Sequence, residues 1–228
     1  MGTPVTSRQL AELGVSADLA VSYARSGWLT RLARGVFCRA GDTPLLGPSL
    51  VVLQEQMPGL HVGGKTALTW HGLQHFVEAR PTLTLFGWEN RALPEWFTSR
   101  FPSTFRRKRL FKEPPAKPIH VSSLPERAGA ALVSNPERAF LELLSEVGVR
   151  QTLDDVRLLA RGVDTLRGDV LADLLKKCKN VKTVRLCLLL GSEYSHPWFA
   201  KLDAKTLPRG SESTWVARSA MGTLVLKR

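Results

Sequence analysis

Thr6-Ser7-Arg8-Gln9-Leu10-Ala11-Glu12-Leu13-Gly14-Val15-Ser16-Ala17-Asp18-Leu19-Ala20-Val21-Ser22-Tyr23-Ala24-Arg25-Ser26-Gly27-Trp28-Leu29-Thr30-Arg31-Leu32-Ala33-Arg34-Gly35-Val36-Phe37-Cys38-Arg39 is punctuated like two short helices followed by a hairpin. Thr6 with Gln9 three residues on has the form of a capping box, in which a hydroxyl and a side-chain amide satisfy each other's backbone N–H groups. Leu10 and Leu13 would share one face of the helix that follows, and Gly14 is a natural stop. Ser16 can cap a second helix with Asp18 in its first turn, where the helix dipole favours a carboxylate. Leu19 with Tyr23 and Ala20 with Ala24 are spaced four apart and form a core-facing stripe, which Gly27 closes. Trp28–Leu32 and Val36–Arg39 have strand composition, and Ala33-Arg34-Gly35 lies between them as the turn. A helix, a glycine turn, a helix and then a basic hairpin make a winged helix-turn-helix, read over residues 1–45.

That arrangement assigns contacts to duplex DNA. The second helix would read bases through its exposed Ser16, Ala17, Ser22 and Arg25, because arginine pairs bidentately with guanine and small hydroxyls reach bases or phosphates. Thr6, Ser7, Arg8 and Gln9 at the start of the first helix would touch the DNA backbone. Arg31, Arg34 and Arg39 on the hairpin would hold phosphates, which positions the protein without reading sequence.

Bulk composition agrees with a polyanion partner. Thirty-two Lys and Arg against twenty Asp and Glu leave +12, and the pI is near 10.2. The excess is spread along the chain, at +2 for 1–45, +5 for 46–120 and +5 for 121–228, so no basic tail explains it. Hydrophobic residues make up 43%, enough for a packed core. The longest apolar run, Leu186–Leu190, is far short of a bilayer span, and no basic-then-apolar leader opens the chain, so a cytoplasmic protein without a membrane partner is expected. Cys38, Cys178 and Cys187 have unrelated spacings and suggest neither a disulfide framework nor a zinc site.

Beyond residue 45 the pattern is mixed. Helices are predicted at Ser49–Met57 and Lys65–Leu73, and strands at His61-Val62, Thr82–Phe86, Thr104–Lys112 and Ile119–Val121. From 134 helices dominate, opening at Asn135-Pro136, Thr152, Gly168 and Val181. Thr214–Val216 and Thr223–Leu226 suggest a terminal hairpin. The fold class is therefore α+β, a winged helix-turn-helix followed by a helix-rich mixed α/β domain over 46–228.

Four stretches, in order, resemble the AbiEi antitoxin family, the regulator half of type IV toxin–antitoxin pairs. They are Gln9 to Ala40, with Ser22–Leu29 and Arg34–Phe37; Val62–Leu68 with Gly72; Ser134–Ala139 followed by Leu141–Leu144; and Val181–Leu186 with His196-Pro197-Trp198 after it. The resemblance implies an N-terminal winged helix binding repeats in the pair's own promoter and a C-terminal antitoxin domain. It also implies a nucleotidyltransferase-like toxin that the protein opposes without a stable complex. In the family a helix usually precedes the capping box; here five residues do, so either the helix at 49–57 completes the small core instead or the chain start is truncated.

Other motifs compete with this reading. Gly59-Leu60-His61-Val62-Gly63-Gly64-Lys65-Thr66 matches the phosphate-loop pattern G-x-x-x-x-G-K-[ST] and would make the chain a nucleotide-binding enzyme. A working loop follows a buried strand, whereas Val51–Met57 and Pro58 read as helix and turn, so a structural strand–turn–helix is expected. His71 and His75 are four apart but lack a third metal ligand. Glu137 reads as a helix-start carboxylate paired locally with Arg138. No catalytic residues, metal or cofactor are assigned. Arg106, Arg107, Lys108 and Arg109, with Arg100 and Lys112, form a possible second nucleic-acid surface, and Lys176, Lys177, Lys179, Lys182 and Arg185 a further patch. A third reading is a winged-helix regulator whose second domain senses a ligand and has no antitoxin role.

Overall fold

A computed structural model describes residues 2–73, 82–211, 215–219 and 222–226. The N-terminal unit is α1 (Ser7–Glu12) and α2 (Ala17–Arg25) laid on a three-stranded antiparallel sheet. Its strands are β1 (Val5–Thr6), β2 (Leu29–Ala33) and β3 (Val36–Arg39), in the order β1-β3-β2. Phe37, Leu10 and Ala20 form its core, and Val5, Val15, Ala24 and Leu29 pack around them. Where family members usually carry a helix, β1 leads into α1 and pairs with β3 through Val5–Phe37 and Thr6–Val36. Backbone bonds from Leu45 to Gly2 (2.8 Å), and from Gly2 to the Asp42 carboxylate (2.7 Å), tie the unit's two ends together.

The remainder is built on a five-stranded mixed sheet in the order β6-β5-β4-β8-β7, with strands β4 (His61–Val62), β5 (Leu83–Gly87), β6 (Ser103–Arg107), β7 (Val121–Leu124) and β8 (Gly129–Ser134). α3 (Leu46–Gln56) lies against β8, and its Leu50, Val52 and Leu53 are buried in this larger core. It does not complete the small core, as its sequence position suggested, because its apolar face meets β8. The short helix α4 (Gly64–Trp70) leads out of β4, α5 (Glu95–Thr98) fills the β5–β6 connection, and α6 (Pro125–Ala128) links β7 to β8.

α7 (Pro136–Ser145) is the axis of the domain, buried along its whole length from Glu137 to Ser145 and packed between α4 and α10 (Val181–Glu193). α8 (Leu153–Ala160) and α9 (Gly168–Lys177) complete the helical layer. Trp198 closes it, with its indole N–H donating to the Val163 carbonyl at 2.7 Å. A hairpin of β9 (Trp215–Ser219) and β10 (Gly222–Leu226) ends the chain as expected. No helix among the described residues is long and apolar enough to cross a membrane.

Candidate nucleic-acid interface

The residues of α2 form a helix because both ends are chemically closed. Ser16, extended at φ −64° and ψ 161°, accepts the Leu19 N–H at 3.2 Å. At the other end Gly27 takes φ 80°, the Trp28 N–H reaches the Tyr23 carbonyl (2.9 Å) and the Gly27 N–H the Ala24 carbonyl (3.4 Å). This double closure is the Schellman arrangement, which needs a left-handed residue and so favours glycine. One stripe, centred on Ala20 and Ala24, faces the sheet. Ser16, Ala17, Ser22 and Arg25 are exposed on the helix, available to a duplex.

Asp18, Ser22 and Arg25, spaced at i, i+4 and i+7, lie on the face opposite Ala20, and all three are exposed. Asp18 was not among the sequence-assigned contacts, although that spacing would have found it. A carboxylate on this face repels phosphate and can accept from the amino group of cytosine. The sequence reading also overfilled the core. Leu13 is 78% exposed, and Leu19 and Tyr23 stand at the edge of the packed stripe with 38% each. The unit is too thin for more than one apolar stripe per helix.

The start of α1 differs from expectation. The Thr6 hydroxyl accepts the Gln9 N–H (3.2 Å) and the Gln9 amide oxygen accepts the Thr6 N–H (2.9 Å), completing the capping box. The Gln9 amide N–H₂ also donates to Glu55 of α3 at 3.0 Å. Thr6 is buried, so these two side chains are committed to the fold and do not face a DNA backbone. The Ser7 N–H donates to the Gly35 carbonyl (2.9 Å), which fastens α1 to the tip of the hairpin. Arg8 is exposed and lies 3.3 Å from Glu12 one turn on.

Arg31, Arg34 and Arg39 are exposed along the β2–β3 hairpin. Pairing of Arg31 with Phe37 and of Leu29 with Arg39 puts Arg31 and Arg39 on the sheet face that carries the helices. Arg34 sits in the turn, where Gly35 has φ 73°. Arg31, Arg39 and α2 therefore belong to one side of the unit. Beside it, Thr3, Val5 and Gln9 of the unit and Pro48, Val51, Val52, Ala128 and Ala130 of the larger domain line a cleft of about 370 Å³.

The second basic cluster is divided by the fold. Arg106 and Lys108 turn inward onto Glu146, at 2.9 and 2.7 Å, and Lys108 also donates to the Ser145 carbonyl (2.9 Å). Arg107, which donates to Asn90, Arg109 and Lys112 are exposed. Arg100 is exposed near Cys38 of the N-terminal unit, outside the 106–112 run. The lysine patch is divided likewise. Lys182 is buried, donating to the carbonyls of Val147 (2.6 Å) and Ser145 (3.0 Å), and burial lowers its pKa to about 8, with Lys108 nearby adding to the fall. Arg185 is buried and donates to the Arg209 carbonyl at 2.9 Å. Lys177 pairs with Asp173 at 2.8 Å.

The Gly-Gly-Lys-Thr segment is a strand–turn–helix, and its anion position is filled from within. Glu142 of α7 accepts the Gly64 N–H (3.0 Å), His61 Nε2 (2.8 Å), the Ser134 hydroxyl (2.9 Å) and Arg138 Nε (2.8 Å). A Cβ on Gly63 would come 2.2 Å from that carboxylate, so glycine here serves the close approach. Burial alone would raise the Glu142 pKa; His61 and Arg138 outweigh it and hold it at about 2. A phosphate would have to displace a buried, fourfold-bonded carboxylate. Arg138 is also bidentate to Glu113, while Glu137 pairs with Arg167 (2.9 Å), not with Arg138 as its neighbour in sequence suggested. His71 Nε2 lies 2.9 Å from the Ser134 carbonyl, and His75 falls outside the described residues.

An exposed capped helix, a glycine-closed turn and an arginine hairpin define the class: a regulator with an N-terminal winged helix. Residues 80–227 match the family described as transcriptional regulator, AbiEi antitoxin, type IV TA system, and residues 1–79 match its N-terminal domain. The chain belongs to this family of antitoxin regulators. Among solved structures it resembles the RV2827C protein from Mycobacterium tuberculosis, with a TM-score of 0.55 and 15% identity over 94% of this chain and 84% of that one. No curated protein matches the sequence.

Proposed function

We propose that this protein represses its own operon by binding repeats in the promoter, with residues 1–45 as the DNA-binding domain. We further infer that residues 46–228 form the antitoxin domain, which opposes a nucleotidyltransferase-like toxin without a lasting complex. The observation that carries the DNA reading is the exposed Asp18–Ser22–Arg25 face of α2 with Arg31 and Arg39 on the same side of the unit and Arg34 at the turn of the hairpin. Arg25 and Ser22 are assigned to base edges, and the hairpin arginines with Ser7 and Arg8 to phosphates.

A shift assay on the chain's own upstream DNA at several salt concentrations tests this. Specific binding with a salt slope of about −0.9 per phosphate contact supports the reading, and equal affinity for scrambled DNA overturns it. For the antitoxin role, co-expression with the neighbouring toxin gene should restore growth while the two proteins elute separately. A nucleotide-dependent enzyme would instead be stabilised by ATP–magnesium in a thermal melt; no shift is expected, because Glu142 occupies the Gly64 N–H and the Gly63 N–H is bonded to the Thr84 carbonyl.

A further inference from the structure

The chain's two basic runs are far apart in sequence and adjacent in the fold. Leaving β6, residues 110–112 run antiparallel to 177–179: the Lys112 N–H donates to the Lys177 carbonyl (2.8 Å), the Lys179 N–H donates to the Leu110 carbonyl (2.8 Å), and Phe111 bridges Cys178. Leu110, Phe111 and Cys178 point into the core. Arg107, Arg109 and Lys112 from one side, and Lys179 with Lys176 at the adjoining end of α9 from the other, are left exposed along this ribbon.

The neighbouring carboxylates do not neutralise it. Glu113 is bonded to Arg138, Glu146 to Arg106 and Lys108, and Asp173 to Lys177 and His120. Lys176 lies in the last turn of α9, where the helix dipole favours a cation, but that reason does not extend to Arg107, Arg109 or Lys112. The Arg109 guanidinium lies 5.6 Å from the centroid of the Trp88 ring, a planar cation backed by an indole.

We propose that this ribbon is a binding site for single-stranded nucleic acid. Arg107 and Arg109, two residues apart where the chain leaves β6, are spaced about 6–7 Å, which suits a nucleic-acid backbone laid out along this segment. The Arg109–Trp88 stack supplies a flat surface on which a base can lie, and stacking of this kind is tolerant of sequence. The site is separate from the winged helix, so the proposal stands or falls apart from operator binding.

Fluorescence anisotropy of the full chain with a labelled oligouridylate of about 20 nucleotides, beside a mixed-sequence duplex of the same length, tests it. Five cations predict a log–log salt slope of about −3 to −4 on the single strand. Changing Arg107, Arg109, Lys112 and Lys179 together to Ser should weaken oligouridylate binding about tenfold or more and flatten that slope. Arg109→Lys keeps the charge but loses the planar stack, and should cost about fivefold without any challenge to folding. Arg25→Ala and Arg34→Ala should leave oligouridylate binding unchanged. The proposal is overturned if the fourfold variant binds oligouridylate as the wild type does. It is equally overturned if the wild type prefers the duplex and the variant loses duplex binding in proportion, since the ribbon would then be a second clamp on double-stranded DNA.

Discussion

At the scale of single residues, the α2 face and the hairpin make different predictions for the same chemical change. Arg25 shares its face with Ser22 and Asp18, so Arg25→Ala should cost about 1–3 kcal/mol on cognate DNA and much less on scrambled DNA. Arg34 sits in the turn of the hairpin, so Arg34→Ala should weaken all sequences alike and lower the salt slope by about one unit. Asp18→Asn removes a charge that repels phosphate, and should raise affinity for scrambled DNA while narrowing discrimination. Titration of the three variants on both duplexes checks these outcomes, and equal losses for Arg25→Ala on the two duplexes would mean that it reads no base. Single residues also mark where sequence reading stopped. Thr6 and Gln9 were legible as a capping box, yet the same pattern could not say that capping leaves neither side chain for DNA. Arg106 and Lys108 looked like solvent-facing charges because Glu146, their partner, lies some forty positions away in the chain.

Elements form here where their ends are satisfied, and this was the most legible level. The caps at Thr6, Ser16 and Thr152, the stops at Gly14 and Gly27 and the proline at the start of α7 were all read from local chemistry, since a cap involves residues five apart or fewer. Ser16→Ala should therefore destabilise the N-terminal unit by about 1 kcal/mol, read as a lower melting temperature, with a parallel loss of operator affinity because α2 frays. Gly35→Ala should cost about 1–2 kcal/mol, because alanine is strained at φ 73°, although the added Cβ would meet the Ser7 hydroxyl only at an ordinary 3.4 Å. If Gly35→Ala leaves the melt unchanged, the turn relaxes out of its left-handed conformation. Strand partners were less legible. β4 pairs with β5 and β8, and nothing within the two residues His61-Val62 specifies a parallel neighbour seventy positions later. The exposed ribbon at 107–112 and 176–179 depends on that kind of distant pairing, and so was seen in sequence only as two unrelated patches.

Across the whole molecule, the buried charges of α7 connect the sheet to the helical layer. Glu142 binds the start of α4, β4 and β8 through Gly64, His61 and Ser134, and Arg138 extends the connection to Glu113. Such a network contributes little net energy against an apolar core, but removing one member strands the others in a dry interior. Glu142→Gln should therefore cost about 3–5 kcal/mol, measured by urea unfolding at neutral pH. The pH dependence follows from the sign of the shift. A carboxylate held at about 2 when folded, against 4.5 when exposed, contributes stability that is complete above pH 4.5. That contribution disappears as the pH falls through 2. The difference corresponds to about 3 kcal/mol, so the urea midpoint should drop between pH 5 and pH 3 in the wild type. In Glu142→Gln, with no carboxylate to protonate at this point, the same acidification should lower it distinctly less. Parallel slopes in the two proteins would show that the acid sensitivity belongs to other carboxylates, with Glu137, lowered by its hydrogen bonds to Arg167 against the opposing effect of burial, the next to test.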